Sequence, residues 1–569
     1  MMLRLLRTVF VRLAGRRAGW AGVLLLAYCA AAGAQPRAVA IASAHPLATA
    51  AGYRMLEQGG NAFDAAVTVA AVLGVVEPYS SGLGGGGFFL LHRAADGRQV
   101  MVDARETAPA AIGRDAYFDR DGRLLKGAST RGGKAVAIPG VPAALVHLAQ
   151  RYGRLPLAQS LAPAVRQARD GFAVDARYAR IAELRERLLR DDAAAAQTFL
   201  DHGRAPQPSF VLRQPRLAAT LERLAREGRA GFYGGHVAQA LVQAVNAAGG
   251  VWHITDLERY RIVEREPLRL TYRGAVITAA ALPSAGGVAL AQSLGMLERF
   301  TLDEASDPAT AHLVIEALRR AFRDRALYLG DSDFVPVPLA RLTGRDYAKR
   351  QAATIDPQAA TRSSDLAGDR RARAEDGNTT HFSIIDADGN RVAATLSINR
   401  LFGSGLVAGD SGVLLNNEMD DFTLRPDVPD SYLLRGGTAN AVAPGKRPLS
   451  SMTPVFVEDA KGVLVLGAPG GSRIVSQVLL GVLEYLRSPQ VDLQRLVAMP
   501  RYHHQYWPDH VEIEPEGFST QWRAALEARG HAIEVVNRKW GNMQLVFRSA
   551  QGGEAQAASD PRGADVGWY

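Results

Sequence analysis

Cysteine is almost missing from this chain of 569 residues: the only one is Cys29. A single cysteine makes no internal disulfide and no Cys-based metal site, and Cys29 lies in a short apolar run near the start, away from any plausible nucleophile position. Acids are missing from the first 34 residues, where Arg4, Arg7, Arg12, Arg16 and Arg17 supply five positive charges. They account for about half of the formal net charge of +9 and leave +4 for the rest. That remainder is not gathered into a stripe, and no groove-reading motif accompanies it, so nucleic-acid binding is not expected. A long hydrophobic run is also missing, and so is any internal repeat. The glycine run Gly84–Gly87 lacks a Gly-Lys-Ser/Thr ending and a later acid at the proper spacing, which excludes a phosphate cradle. His503, His504 and His510, with Asp509 nearby, match no zinc spacing and read as core or solvated histidines. No metal and no cofactor is expected.

What is present begins with a secretory pattern. Residues 1–18 are Arg-rich, residues 19–32 form a short apolar run, and Ala32-Gly33-Ala34 fits small-residue cleavage before Gln35. Residues 1–34 are therefore expected to be a signal peptide and the protein periplasmic or secreted in a bacterium, with no stable membrane span after cleavage. The competing readings are an uncleaved anchor and a lipid-modified Cys29, the latter disfavoured by bulky Tyr28. Arg16-Arg17 fits twin-arginine export poorly. Without Cys29 the mature chain is free of cysteine, which suits a compartment where disulfides are permitted and not required. Hydrophobic residues at 47% and charged residues at 22% describe an ordinary globular protein.

The pattern predicts helices over 46–58, 62–76, 140–152, 157–170, 178–199, 215–228, 235–248, 286–300, 308–328 and 473–487. It predicts strands over 88–92, 267–272, 275–281, 381–386, 391–398, 412–415, 454–458 and 462–467. The polar, turn-rich stretch 356–378 reads as an exposed, flexible segment. The whole is α/β or α+β, helix-heavy before residue 355 and strand-heavy after it.

The most informative stretch is GNTTHFSIIDADGNRVAATLSINRLFG. Residues 386–390 are a turn signal between two strand patterns. Alternation puts Thr395, Ser397 and Asn399 on one polar face, and a turn centred on Asp388 sets Thr379 opposite Ser397. A threonine hydroxyl is a weak nucleophile unless a base takes its proton. An N-terminal threonine carries that base in its own α-amine, whose ordinary pKa is about 7.7–8.0. Such an N-terminus must be made by cleavage, and a flexible polar segment precedes this one. Taken alone, Thr379 reads as an ordinary threonine at a loop-to-strand boundary.

Seven segments change that balance: GGNAFDAA (59–66), GLGGGGFFLL (82–91), DARETAP (103–109), NTTHFSIID (378–386), LLNNEMDDF (414–422), GKRPLSSMTP (445–454) and GAPGGSRI (467–474). In this order and spacing the chain, from about residue 38 to its end, resembles the γ-glutamyltransferases, members of the N-terminal-nucleophile hydrolases. The resemblance implies an α+β fold, the αββα sandwich of two stacked antiparallel sheets flanked by helices. It implies cleavage between Asn378 and Thr379, giving a large subunit (35–378) and a small one (379–569) that form one intertwined heterodimer.

The same resemblance implies the roles of the site residues. Thr379 is the nucleophile and its α-amine the base, with Ser397 in contact with it and also, like Gly471, a substrate-binding residue. Gly470 and Gly471 form the oxyanion hole. Arg105, Ser450 and Ser451 bind the substrate α-carboxylate, and Asp421, Glu418 and Asn399 its ammonium. Glu418 stands where some relatives carry glutamine, and Ser397 where threonine is common. Tyr432, in the loop 425–437, matches a lid tyrosine. As bare residues, the arginine reads as a solvated or Glu106-paired side chain, the serine pair as a turn, and the two glycines as a strand-to-helix turn. The expected substrates are γ-glutamyl compounds such as glutathione, with water, amino acids or peptides as acceptors. The alternatives are an acylase of the same fold acting on glutaryl amides, and a non-catalytic periplasmic binding protein that stays uncut.

Overall fold

In the computed structural model, which describes residues 38–366, 379–425, 428, 434 and 436–563, twelve strands build two six-stranded antiparallel sheets. In chain order the strands are β1 (Ala40–Ser43), β2 (Gly86–Arg93), β3 (Arg98–Asp103), β4 (Val263–Arg265), β5 (Leu268–Tyr272), β6 (Ala275–Ala279), β7 (Thr380–Ile385), β8 (Arg391–Ser397), β9 (Val455–Asp459), β10 (Gly462–Gly467), β11 (Gln544–Ser549) and β12 (Ala555–Ser559). The first sheet runs β1-β7-β8-β2-β3-β4 and the second β12-β11-β10-β9-β6-β5. The predicted hairpin thus lies in the middle of the first sheet.

Alternation along these strands makes the layers. Ile41, Phe89, Leu91, Phe382, Ile384 and Val392 point to one side of the first sheet. There they meet helices α1 (Pro46–Glu57), α2 (Ala62–Val76), α3 (Val141–Arg151) and α4 (Leu157–Asp170). Ala40, Ala42, Phe88, Leu90 and Ala393 point to the other side and join Val455, Val457, Leu464 and Leu466 of the second sheet. Helices α5 (Ala285–Leu297), α6 (Pro308–Tyr328) and α7 (Arg473–Arg487) share that second core. The result is the expected αββα sandwich.

Local chemistry sets the helix ends. Asn61 and Asp64 form a capping box at α2, the nearly all-apolar helix behind the hairpin. Asp307 caps α6, with Pro308 at its first position. The glycine run serves close approach. A Cβ on Gly85 would lie 2.0 Å from the Ser397 carbonyl oxygen, and one on Gly86 would lie 2.4 Å from the Glu106 carboxylate.

Three expectations change. The helix expected over 178–199 is two, Ala176–Arg190 and Ala193–Phe199, because Asp192 caps the second by accepting from the Ala195 N–H at 2.7 Å. No strand forms over 412–415, where Leu414 and Leu415 make only isolated bridges. Residues 356–366, expected to be exposed, include buried Ser363, which donates to Asp509 at 2.8 Å and accepts from Arg319 at 2.6 Å. The remainder of that stretch, 367–378, lies outside the described residues. Among the described residues no helix is long and apolar enough to cross a membrane.

Candidate active site

The hairpin pairs Leu396 with Thr380 and Thr395 with His381, so one further step sets Thr379 against Ser397, as the turn position predicts. Thr379 Oγ1 lies 3.5 Å from Ser397 Oγ, and both residues are buried. The polar face does not continue as expected. The strand ends at Ser397, and Asn399 takes a left-handed φ of 71°. Its backbone N–H donates to Ser397 Oγ at 2.7 Å, and its side chain donates to the Asn417 carbonyl at 3.0 Å. Asn399 therefore braces the serine through its backbone and ties it to the loop carrying Glu418 and Asp421.

At the start of β7, the Thr380 hydroxyl donates to Glu77 at 2.9 Å, and Glu77 pairs with Arg177 at 3.1 Å. Burial holds His381 neutral, at about 3, while it hydrogen-bonds Thr395 at 2.8 Å. His503 and His504 are core histidines, bonded to Ser476 at 2.8 Å and Asp509 at 3.3 Å.

The pocket beside Thr379 gathers Ser397, Arg105, Glu418, Asp421, Ser450, Ser451 and Gly471. These come from five separate stretches of chain. Arg105 is fully buried just after β3. Its guanidinium contacts Glu418 through Nη1 and Asp421 through Nη2, donates to the Pro448 carbonyl at 3.1 Å, and lies 3.6 Å from Glu106. Of the bare readings of this arginine, pairing with Glu106 is present and solvation is not, and its contacts to Glu418 and Asp421 were not anticipated. Ser450 accepts the Met452 N–H at 3.1 Å, and Ser451 Oγ is buried with no partner among the described residues.

The acids are unevenly satisfied. Both oxygens of Glu106, Oε2 of Glu418 and Oδ1 of Asp421 have no donor from another described residue. Burial pushes Glu418 up to about 8 against the pull of Arg105. Burial also raises Asp421, and it raises Glu106 strongly, with help from the Glu418 charge.

Gly470 and Gly471 have φ of 128° and 58°, in the region that favours glycine, immediately before α7. Gln477 donates to the Pro469 carbonyl at 2.8 Å and pins this turn. Among the described residues neither glycine N–H has an acceptor, and the turn sits at the positive end of the helix dipole. The strand-to-helix turn is thus present, with its geometry set by the two glycines.

Asn378 and Tyr432 lie outside the described residues, as does most of the expected lid. The sequence reading missed Arg325, Ser472 and Leu434, which also line the pocket. Arg325 sits in the last turn of α6 and pulls the Asp421 carboxyl downward, opposing burial. No local motif marks it, since a helical arginine reads as a solvated side chain.

Sandwich and site together define an N-terminal-nucleophile hydrolase, with a threonine at the mouth of a central strand. The sequence model of the Gamma-glutamyltranspeptidase family matches residues 48–568, and the chain belongs to that family. It is 40% identical over 498 residues to a glutathione hydrolase proenzyme of Pseudomonas sp. (strain A14), covering 86% of this chain and 85% of that protein. It is 39% identical over 529 residues to a glutathione hydrolase proenzyme of Escherichia coli (strain K12), covering 92% and 90%. The solved cephalosporin acylase of Bacillus halodurans superposes with a TM-score of 0.78 at 28% identity, covering 92% of this chain and 96% of that one.

Proposed function

We propose that this enzyme is exported, cuts its own chain before Thr379, and then transfers γ-glutamyl groups from glutathione and related amides to water or amine acceptors. The observation that carries the reading is the single pocket in which Thr379 meets Arg105, Glu418, Asp421 and the serine pair. An acyl group bearing both an α-carboxylate and an α-ammonium uses all of them.

In self-cleavage the Thr379 hydroxyl attacks the Asn378 carbonyl carbon. The peptide C–N bond breaks, an ester forms, and the nitrogen leaves as the α-amine of Thr379. Water hydrolyses the ester and leaves fragments 35–378 and 379–569. In turnover that α-amine takes the hydroxyl proton as Oγ1 attacks the substrate γ-carbonyl. The N–H groups of Gly470 and Gly471 receive the developing oxyanion. The proton passes to the departing amine, and a γ-glutamyl ester of Thr379 remains for water or an acceptor amine. Arg105 holds the α-carboxylate with Ser450 and Ser451. Glu418, Asp421 and Asn399 hold the α-ammonium.

The likeness to a cephalosporin acylase keeps a second reading in view, hydrolysis of glutaryl amides. Glu418 and Asp421 favour the γ-glutamyl reading, because a glutaryl group offers them no cation. Side-by-side hydrolysis of γ-glutamyl and glutaryl anilides decides it, and a preference for glutaryl would sink the assignment. Purified protein should show fragments of roughly 37 and 20 kDa, scaled from 60.9 kDa by length, with Thr379 first in the smaller. Thr379→Ala should stay one inactive chain, and cleavage before Ala would exclude self-processing by this hydroxyl.

A further inference from the structure

Three buried carboxylates crowd one guanidinium. Arg105 contacts Glu418 and Asp421 through different nitrogens and lies 3.6 Å from Glu106. Two other charged groups face the cluster. Arg325 reaches it from α6, and Asp420, on the same short turn as Glu418, is hydrogen-bonded by Ser129 at 2.6 Å. Fully ionised, Glu106, Glu418 and Asp421 exceed the charge of the two arginines by one. With all three ionised, four of their oxygens have no donor from another described residue, and Glu418 and Asp421 lie close enough to share a proton. A buried carboxylate in that condition is costly, and either a proton or a cation relieves it.

A substrate carboxylate docking on Arg105 competes with Glu418 and Asp421 for the same fork of N–H donors. If the incoming molecule also carries an ammonium, that cation replaces the guanidinium beside the acids. If it does not, the acids lose a partner and gain none.

We propose that Glu418 is a specificity-determining residue: it exchanges its guanidinium partner for the substrate ammonium, and an acyl group lacking that ammonium enters only with a solvent proton in its place. The inference rests on the γ-glutamyl reading of this pocket and adds to it a rule of selection. The upward displacement of Glu418, Glu106 and Asp421 by burial brings the exchange into the working pH range. Discrimination against a glutaryl group then weakens as pH falls, because protons are supplied freely, and strengthens as pH rises.

The test is calorimetric titration of the processed two-fragment enzyme with L-glutamate and with glutarate. The ratio of their dissociation constants, glutarate over glutamate, should rise with pH between about 6 and 8.5, approaching tenfold per unit for one proton. The freed α-amine of Thr379, a group whose ordinary pKa is about 7.7–8.0, acts on both ligands and largely leaves their ratio. Glu418→Gln keeps the side-chain shape and should lower the slope by more than about half. A flat ratio with glutamate the tighter ligand overturns the exchange and spares the γ-glutamyl reading, as does an equal slope in Glu418→Gln. Glutarate binding more tightly at every pH overturns both.

Discussion

Thr380 donates its hydroxyl to the carboxylate of Glu77, 2.9 Å away and 303 positions earlier in the chain. The residue that follows Thr379 is thereby fastened to the end of α2. Glu77 also pairs with Arg177 at 3.1 Å and accepts from the Tyr79 hydroxyl at 3.2 Å, all within the core. Glu77→Ala removes three buried contacts and a buried negative charge that faces a cation. It should cost about 3 kcal/mol of stability. Glu77→Gln keeps an acceptor for Thr380 and should cost less. Urea denaturation of the three proteins checks the order, and an Ala variant as stable as the parent would show that Thr380 needs no anchor.

Ser397 has two jobs on one oxygen. It lies 3.5 Å from Thr379 Oγ1 and accepts the Asn399 N–H at 2.7 Å. Ser397→Ala should slow both self-cleavage and turnover by about tenfold or more while KM changes little, because a contact to the reacting oxygen is lost and substrate anchors are not. Ser397→Thr retains the hydroxyl and should recover most of the loss. Fragment appearance on gels and steady-state kinetics read the two effects separately. A rise in KM with kcat intact would place Ser397 among the substrate anchors instead.

The hairpin was legible because three local signals agree: a turn at 386–390, alternation on either side, and a register that follows from the turn's centre. The end of that register was not. The pleat stops at Ser397, where Asn399 turns left-handed to meet the Asn417 carbonyl, a contact decided by a loop 18 positions away. The same limit hid Arg325. Its role depends on α6 passing the loop that carries Asp421, and only tertiary packing brings the two together. Ser363 was missed for the opposite reason. A polar, turn-rich composition predicts exposure, yet Arg319 and Asp509 supply the polar partners that let this serine be buried. Five of the seven motifs supply pocket residues: DARETAP, NTTHFSIID, LLNNEMDDF, GKRPLSSMTP and GAPGGSRI.

Arg105 binds through a planar fork: its Nη1 and Nη2 reach different carboxylates while Nε holds the Pro448 carbonyl. Lysine keeps the charge and loses the fork. Arg105→Lys should therefore raise KM for a γ-glutamyl anilide by roughly 50-fold, equivalent to about 2–3 kcal/mol, with a smaller change in kcat. The fragments should still form, since no contact of Arg105 reaches Thr379. Unchanged KM in a processed Lys variant would remove Arg105 from carboxylate binding.

Acid should weaken the fold through its histidines before its carboxylates. Burial pushes His381, His504 and His531 down to about 3 and His503 to about 4, so the folded chain keeps them neutral. An unfolded chain protonates the same side chains below about 6.5. The unfolded state therefore binds more protons between these values, and stability falls as pH drops through that interval. Each histidine contributes about 1 kcal/mol per pH unit below 6.5, while Glu106, Glu418 and Asp421, raised by burial, take up protons in the fold first and act in the opposite sense, so the histidine share is read by difference. The histidine share of the shift in urea midpoint should appear between about pH 6.5 and 5.5 and be absent between pH 7 and 8, where unfolded histidine is already neutral. His503→Asn removes one titrating group and should flatten the acid limb relative to its own midpoint at pH 7.5. An acid limb unchanged in His503→Asn would mean that His503 is charged in the fold, against its burial.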